Sequence, residues 1–148
     1  MLKLKKINSQ NKQSVLSVYK KIYLRGNTHE VFSQLMDKTC HIGFCGYNDA
    51  NLVGFISASH ALNEIDIIEL GVMSEFRRQG VAFELIIHLQ RYCIEQNIRR
   101  IFLEVAKNNV PAIRLYEKAG FNEIGIRKNY YSLRGSPVDA FVYRWSSV

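Results

Sequence analysis

The chain has 148 residues, 47% of them hydrophobic and 22% charged, with nine Gly and two Pro. At 17.1 kDa it is the size of one domain, and residues 1–148 are expected to share a single core; the composition excludes a disordered tail, a collagen-like chain and a disulfide-knotted peptide. The formal net charge is +7, and residues 1–40 hold eight basic side chains against Glu30 and Asp37, so most of the excess lies in the first quarter.

In chain order, Leu2, Leu4 and Ile7 with intervening Lys predict an amphipathic first strand. From Lys12 to about Arg25, Val15, Leu16, Val18, Tyr19, Ile22 and Tyr23 recur at helical spacing, and Gly26 is the expected stop. Thr28 is suited to cap a second helix, His29 to about Asp37, with Val31, Phe32, Leu35 and Met36 facing inward. Ile42–Tyr47 and Leu52–Ser59 read as a hairpin around Asn48-Asp49-Ala50-Asn51. Glu64–Met73 is a longer, Ile-rich strand in which Gly71 marks a bulge or a close approach to the backbone. Gln79 to about Gln96 is a helix packed on the sheet, and Arg99–Val105 a buried strand. Pro111–Ala119 is a helix with Pro in its first turn and Gly120 as its stop. Two final strands, Phe121–Tyr131 and Val138–Trp145, flank the turn Arg134-Gly135-Ser136-Pro137. The expected class is α/β (α+β), a mixed sheet with helices on both sides.

No stretch approaches 18 uncharged apolar residues, and the basic start leads into Asn8-Ser9-Gln10-Asn11. Neither a membrane span nor a signal peptide is therefore expected, and the protein is read as cytoplasmic. Cys40, Cys45 and Cys93 have no CxxC and no nearby His pair, so reduced, mostly buried thiols are expected and no metal. The basic first quarter suits an acidic partner or an RNA-rich assembly. A solvated helix face and a Lys-guarded strand edge give the same count. Aromatics are not interleaved as in a stacking platform, so direct nucleic-acid binding is not expected.

The chemistry collects in two segments. Leu70-Gly71-Val72-Met73-Ser74-Glu75-Phe76-Arg77-Arg78-Gln79-Gly80-Val81-Ala82 joins a strand end to a helix start. Free N–H groups at such a helix start hold anions, Gly80 and Ala82 leave room, and Arg77 and Arg78 add charge for a pyrophosphate. An ordinary connection carrying surface arginines is the competing reading. The common nucleotide loops GxxxxGK[ST] and GxGxxG are absent. The pattern Arg77-x-x-Gly80-x-Ala82 resembles the acyl-coenzyme A signature of the GNAT superfamily of N-acetyltransferases. The second segment, Leu103-Glu104-Val105-Ala106-Lys107-Asn108-Asn109 followed by Ala112-Ile113-Arg114-Leu115-Tyr116 and Gly120-Phe121, is similar to the later half of that family. Ile126-Arg127-Lys128-Asn129-Tyr130-Tyr131 and Asp139-Ala140 narrow the resemblance to the RimI type, which acetylates ribosomal-protein N-terminal alanine.

The residues supply their own rationale. An amine must be neutral to attack a thioester, yet an α-amino group has a pKa of about 8. Glu104, between apolar Leu103 and Val105, is suited to accept the proton; a surface carboxylate paired with Lys107 or Arg100 is the plainer alternative. Tyr116 can protonate or hydrogen-bond a departing thiolate, or be an amphipathic core tyrosine. The resemblance implies Glu104 as base, Tyr116 as acid and acetyl-coenzyme A as co-substrate. It also implies that Leu70, Gly71, Val72, Arg77, Arg78, Gln79, Gly80, Val81, Ala82 and Asn109 bind that co-substrate, while Asn129, Tyr130 and Tyr131 line the acceptor side. Asn109 also reads as a helix N-cap, and Asn129–Tyr131 as a strand with one buried and one exposed ring.

Three departures from the RimI pattern stand out. Leu24-Arg25-Gly26-Asn27 replaces a Pro-Trp-Ser segment, Val138 precedes Asp139-Ala140 where Glu is usual, and Ser74 stands for a Pro. The expected acceptor is a protein N-terminus, by resemblance that of a ribosomal protein. A polyamine, an aminoglycoside, a protein lysine or an aminoacyl-tRNA are alternative acceptors. A non-catalytic acyl-coenzyme A-binding regulatory module is the third reading.

Overall fold

The computed structural model describes residues 2–23, 28–131 and 135–147, with the backbone alone at 132 and 133. Seven strands are formed by β1 (Leu2–Lys6), β2 (His41–Asn48), β3 (Asn51–Ala61), β4 (Glu64–Val72), β5 (Arg100–Ala106), β6 (Asn122–Leu133) and β7 (Ser136–Ser146). The helices are α1 (Lys12–Ile22), α2 (Thr28–Met36), α3 (Val81–Glu95) and α4 (Val110–Lys118). One sheet runs β1-β2-β3-β4-β5-β7-β6, antiparallel throughout except between β4 and β5. The mixed sheet expected from sequence is thus what forms, and most of its pairings are antiparallel. The stop expected at Gly26 and the turn residue Arg134 lie outside the described residues.

Two apolar layers explain the arrangement. On one face Phe44, Ile56, Ile65, Ile101 and Leu103 meet Leu85, Ile86 and Leu89 of α3. These three α3 side chains are fully buried, so truncating one to Ala costs about 2–5 kcal/mol. On the other face Cys45 and Phe55 meet Val15, Leu16, Val18 and Tyr19 of α1. Because β2 and β3 are covered on both faces, their apolar residues run nearly continuously instead of alternating. The edge strand β1 alternates, with Leu2 and Leu4 packed inward and Lys3 and Lys5 exposed.

The second layer thins toward α2. Phe32 is its one buried residue; the ring stacks on Tyr19 at 4.3 Å and tilts against Phe55 at 5.3 Å. Val31, expected to face inward, is 67% exposed, because a helix resting on α1 by a single stripe buries only that stripe. Thr28 is the first helical residue instead of the cap. Cys45 and Cys93 are buried and Cys40 half-buried, and none forms a disulfide.

Two irregularities in β4 shape the molecule. The parallel pairing of β4 with β5 comprises Glu64↔Arg100, Ile65↔Ile101 and Asp66↔Phe102. Beyond these the strands part: Leu103–Ala106 pair only with β7, and Glu69–Val72 only with β3. The second irregularity is a bulge, since Ala58 pairs with Ile67 but Ser57 with Glu69, which leaves Ile68 as the extra residue. Gly71 is regular, opposite Phe55. It marks close approach, because a Cβ there would lie 3.0 Å from both Ile22 Cδ1 and Phe55 Cε1.

Candidate active site

Where β4 leaves β5, the N–H and C=O groups on its free side have no strand partner, although backbone groups of this kind are nearly always paired when buried. They face a cleft. Its main part, about 700 Å³, is lined by Leu70, Gly71 and Val72 on one wall, Asn109, Ala112 and Tyr116 of the α4 region on the other, and Ile22 and Tyr23 at one end. A second hollow of about 370 Å³ shares Val72, Arg77, Arg78 and Ala82 with it and continues past Gly80, Val81 and Lys118. The combined groove has unpaired sheet edge in the middle and cations at one end.

That end is built by backbone conformation. After a 3-10 turn at Ser74–Phe76, Arg78 and Gly80 both take left-handed conformations, with φ of 61° and 83°. Open space surrounds Gly80, so glycine is required there by dihedral angle and not by crowding. The first helical hydrogen bond of α3 is Glu84 N–H to Gly80 O, and no side chain caps the helix. The N–H groups of Val81, Ala82 and Phe83 are therefore free to bind an anion in the field of the helix N-terminus. Arg77 is anchored by its Nε–H to Val72 O at 3.2 Å. Gln79 turns away, donating to Glu75 O and lining a separate hollow with Leu2 and Asn48. A pyrophosphate-bearing coenzyme with an amide-containing arm fits this donor set: phosphates at the loop, amides along Leu70–Val72.

The opposite end gathers the titratable groups. Asn109 caps α4, its Oδ1 accepting from Ala112 N–H at 3.3 Å, and this cap aims the helix so that Tyr116 reaches the cleft while packing edge-on against Phe121. Burial pushes the Tyr116 phenol far above its ordinary value, and Tyr131 and Glu69 push it the same way. It stays protonated at neutral pH. On β5, Ile101, Leu103 and Val105 face the α3 core, so Glu104 projects to the other side of the sheet. Its Oε1 lies 3.3 Å from Arg127 Nε, with the carboxylate side chain 27% exposed. Lys107 and Arg100, the partners considered from sequence, do not pair with it; Arg100 bonds Glu64 instead.

A second bulge presents β6. Arg127 pairs with Ala140 and Tyr131 with Val138, so residues 128–130 face Asp139 alone. Asn129 accommodates the excess at φ 55°, its N–H bonded to Asp139 Oδ1 at 2.9 Å. Tyr131 is thereby brought over β5, its hydroxyl donating to Glu104 O at 3.3 Å. Tyr130, 48% exposed, stacks edge-on against it at 5.0 Å. The structure thus brings Glu104, Tyr116 and Tyr131 together, and keeps Tyr130 at the rim.

Sequence reading missed Glu69, Tyr23 and Arg127. Strict alternation from Ile65 and Ile67 would turn Glu69 into the α3 core; the bulge at Ile68 sends it instead to the face of Ser57, Gly71 and Phe55, beneath the end of α1. Burial raises its carboxyl above the usual range, and a hydrogen bond from the Tyr23 hydroxyl offsets part of that rise. Burial and Glu69 together push the Tyr23 phenol far up. Glu69 acts electrostatically on Tyr131 as well as Tyr116, and Tyr131 also senses Glu104. The available signal was a lone ionisable residue within Ile67–Val72. Among the described residues no cluster of three or more His, Cys, Asp or Glu could hold a metal, and no helix is long and apolar enough to cross a membrane.

The acetyltransferase (GNAT) family matches residues 9–121. The ribosomal protein bS18-alanine N-acetyltransferase of Escherichia coli K12 is 30% identical over 102 residues, 69% of each chain. Among solved structures, the ribosomal-protein-S18-alanine N-acetyltransferase from Escherichia coli superposes with a TM-score of 0.90 at 23% identity, covering 99% of this chain and 94% of that one. NAA60 of Arabidopsis thaliana, solved in complex with acetyl-CoA, gives 0.85 at 20% identity over 99% and 98%.

Proposed function

The chain belongs to the GNAT family of N-acetyltransferases, with relatives of the RimI type, and on that premise we propose that it moves an acetyl group from acetyl-coenzyme A to the N-terminal α-amino group of a protein, by resemblance a ribosomal protein. The observation that carries this reading is the cleft itself. It runs from a cationic helix N-terminus, along an unpaired strand edge, to the protonated phenol of Tyr116, and Tyr131 links that phenol to the partly exposed Glu104. The reading treats residues 1–148 as one transferase domain and entails a cytoplasmic enzyme, since ribosomal proteins are its acceptors.

The roles follow from chemistry. Bound acetyl-coenzyme A supplies an activated acyl group as a thioester. Arg77, Arg78 and the N–H groups of Val81 and Ala82 at the Gly80 turn hold its phosphates, while Leu70, Gly71 and Val72 pair with its amide arm as an added strand pairs with a sheet edge. One of their N–H groups also stabilises charge on the carbonyl oxygen. Asn109 holds α4 in place beside the arm. Glu104 takes the proton of the amine, directly or through water, so that the neutral nucleophile forms at physiological pH. A phenol raised well above 10 is a poorer acid than a free thiol, whose pKa is about 8.5. Tyr116 therefore acts by donating a hydrogen bond to the departing sulfur more than by full proton transfer. Asn129, Tyr130 and Tyr131 border the path of the acceptor.

Fragmentation mass spectrometry tests the proposal, using peptides with varied free N-termini incubated with enzyme and acetyl-coenzyme A. Acetyl on the α-nitrogen of Ala-initiated ribosomal-protein peptides is the expected result. Modification confined to lysine side chains, or to small amines in parallel reactions, would overturn the acceptor and keep the transfer chemistry.

A further inference from the structure

We propose that Glu69 is the acceptor-binding carboxylate of this enzyme, receiving the amine in its protonated, ammonium form, with Tyr23 orienting the carboxylate. The inference deepens the acetyl-transfer reading above and rests on it.

Three carboxylates share the sheet face below α1 near the parting of β4 and β5: Asp66, Glu69 and Glu104. Arg127 serves two of them. It is ion-paired with Glu104 at 3.3 Å and acts electrostatically on Asp66, which is exposed. Among the described residues no cation is paired with Glu69. Its neighbours are instead phenols: Tyr23 from the end of α1, Tyr116 from α4 and Tyr131 from β6. A carboxylate held out of water without a counter-charge costs free energy. Such a group beside a cleft, next to its lining residues Leu70 and Tyr23, is suited to a cationic ligand.

The position fits the chemistry. Leu70 and Gly71 line the cleft immediately after Glu69, and Tyr23 and Tyr116 line it from either side. An ammonium drawn to Glu69 waits next to the strand edge proposed to hold the acyl group. One proton then passes to Glu104, the neutral nitrogen bonds the acyl carbon, and the C–S bond breaks with the sulfur keeping the electron pair beside Tyr116, while the nitrogen's second proton goes to the departing thiolate or to water. Two carboxylates therefore divide the work, Glu69 binding the charged amine and Glu104 removing the proton.

The test compares an Ala-initiated peptide with its lactyl-initiated counterpart, which carries a hydroxyl in place of the α-ammonium, by calorimetry in the presence of desulfo-coenzyme A. Wild-type enzyme is expected to bind the ammonium form about tenfold or more tighter, the range of a charge-assisted hydrogen bond. Glu69→Gln should erase most of that preference and raise the KM for peptide by a similar factor, with the KM for acetyl-coenzyme A unchanged; Tyr23→Phe should fall between. A wild-type enzyme indifferent to the ammonium, or a Glu69→Gln variant that keeps the preference, overturns the proposal. So does a variant whose coenzyme binding and melting temperature fall together with peptide binding, which marks a structural role. A wild-type enzyme that selects the ammonium yet acetylates no peptide overturns the acetyl-transfer reading alone.

Discussion

Glu69 and Glu104 stand on the two strands that part at the cleft, on the same face of the sheet, yet their surroundings differ. Glu104 lies on β5 within reach of Arg127, and the carbonyl of the same residue accepts from Tyr131. Glu69 lies on β4 behind a bulge, with Tyr23 as donor and burial raising its carboxyl. The lesson is that a carboxylate's task is set by what else is held beside it. An ion-paired, partly solvated group can relay a proton outward, whereas a half-buried one without a counter-charge attracts a cation.

Mutations separate the two carboxylates. The largest effect is expected from Glu104→Gln, which should lower kcat by about 100–1,000-fold, as for loss of a general base, while coenzyme affinity measured by calorimetry stays the same. An unchanged kcat would move proton removal to another group and collapse the division of labour. Tyr116→Phe should lower kcat by about 10–100-fold, the worth of one hydrogen bond to a charged group, again without loss of coenzyme binding. Steady-state kinetics on both variants ranks the carboxylate that removes the proton against the group that meets the sulfur.

Smaller effects sharpen the contrast. Asp139→Ala removes the acceptor that fixes Asn129 in its left-handed turn. It should cost about 1 kcal/mol, a fall of about 2–4 °C in Tm, and raise the acceptor KM several-fold as Tyr131 loses its seat. Glu69→Gln has an opposite stability signature. Because the folded-state carboxyl is raised, the folded chain binds this proton more tightly than the unfolded one. The associated stability is full below the ordinary carboxylate range and is lost as pH rises through the raised value. At pH 7 the variant, which lacks the buried charge, should therefore melt about 1–3 °C higher than wild type. The gap should close as pH falls below about 4, where the wild-type carboxyl is protonated too. A variant that melts lower at pH 7 would show that the Tyr23 contact outweighs the burial cost.

Elements with strong periodicity were legible from sequence alone. Val15, Leu16, Val18 and Tyr19 marked α1, and Leu85, Ile86 and Leu89 marked α3, because a 3.6-residue repeat of apolar side chains has one way to be buried. The strand-to-helix turn before α3 was legible as well, since a Gly-containing connection between two periodic segments is a local pattern. Val31 misled because inward-facing helical spacing presumes a surface wide enough to cover it, and α2 meets only α1 and the flank of the sheet.

What sequence by itself determined, then, is the fold class, the family and the pair Glu104 and Tyr116 as candidates: local patterns of hydrophobicity, turn residues and motif spacing carry that information. Tertiary structure decided the rest. The insertion of β7 between β5 and β6, the parting of β4 from β5, and the bulges at Ile68 and residues 128–130 depend on pairing between strands distant in the chain. A single extra residue in one strand reverses the face of every side chain beyond it. That reversal carries Glu69 out of the α3 core to the side of Tyr23, which lines the cleft, where no period in the sequence would have put it.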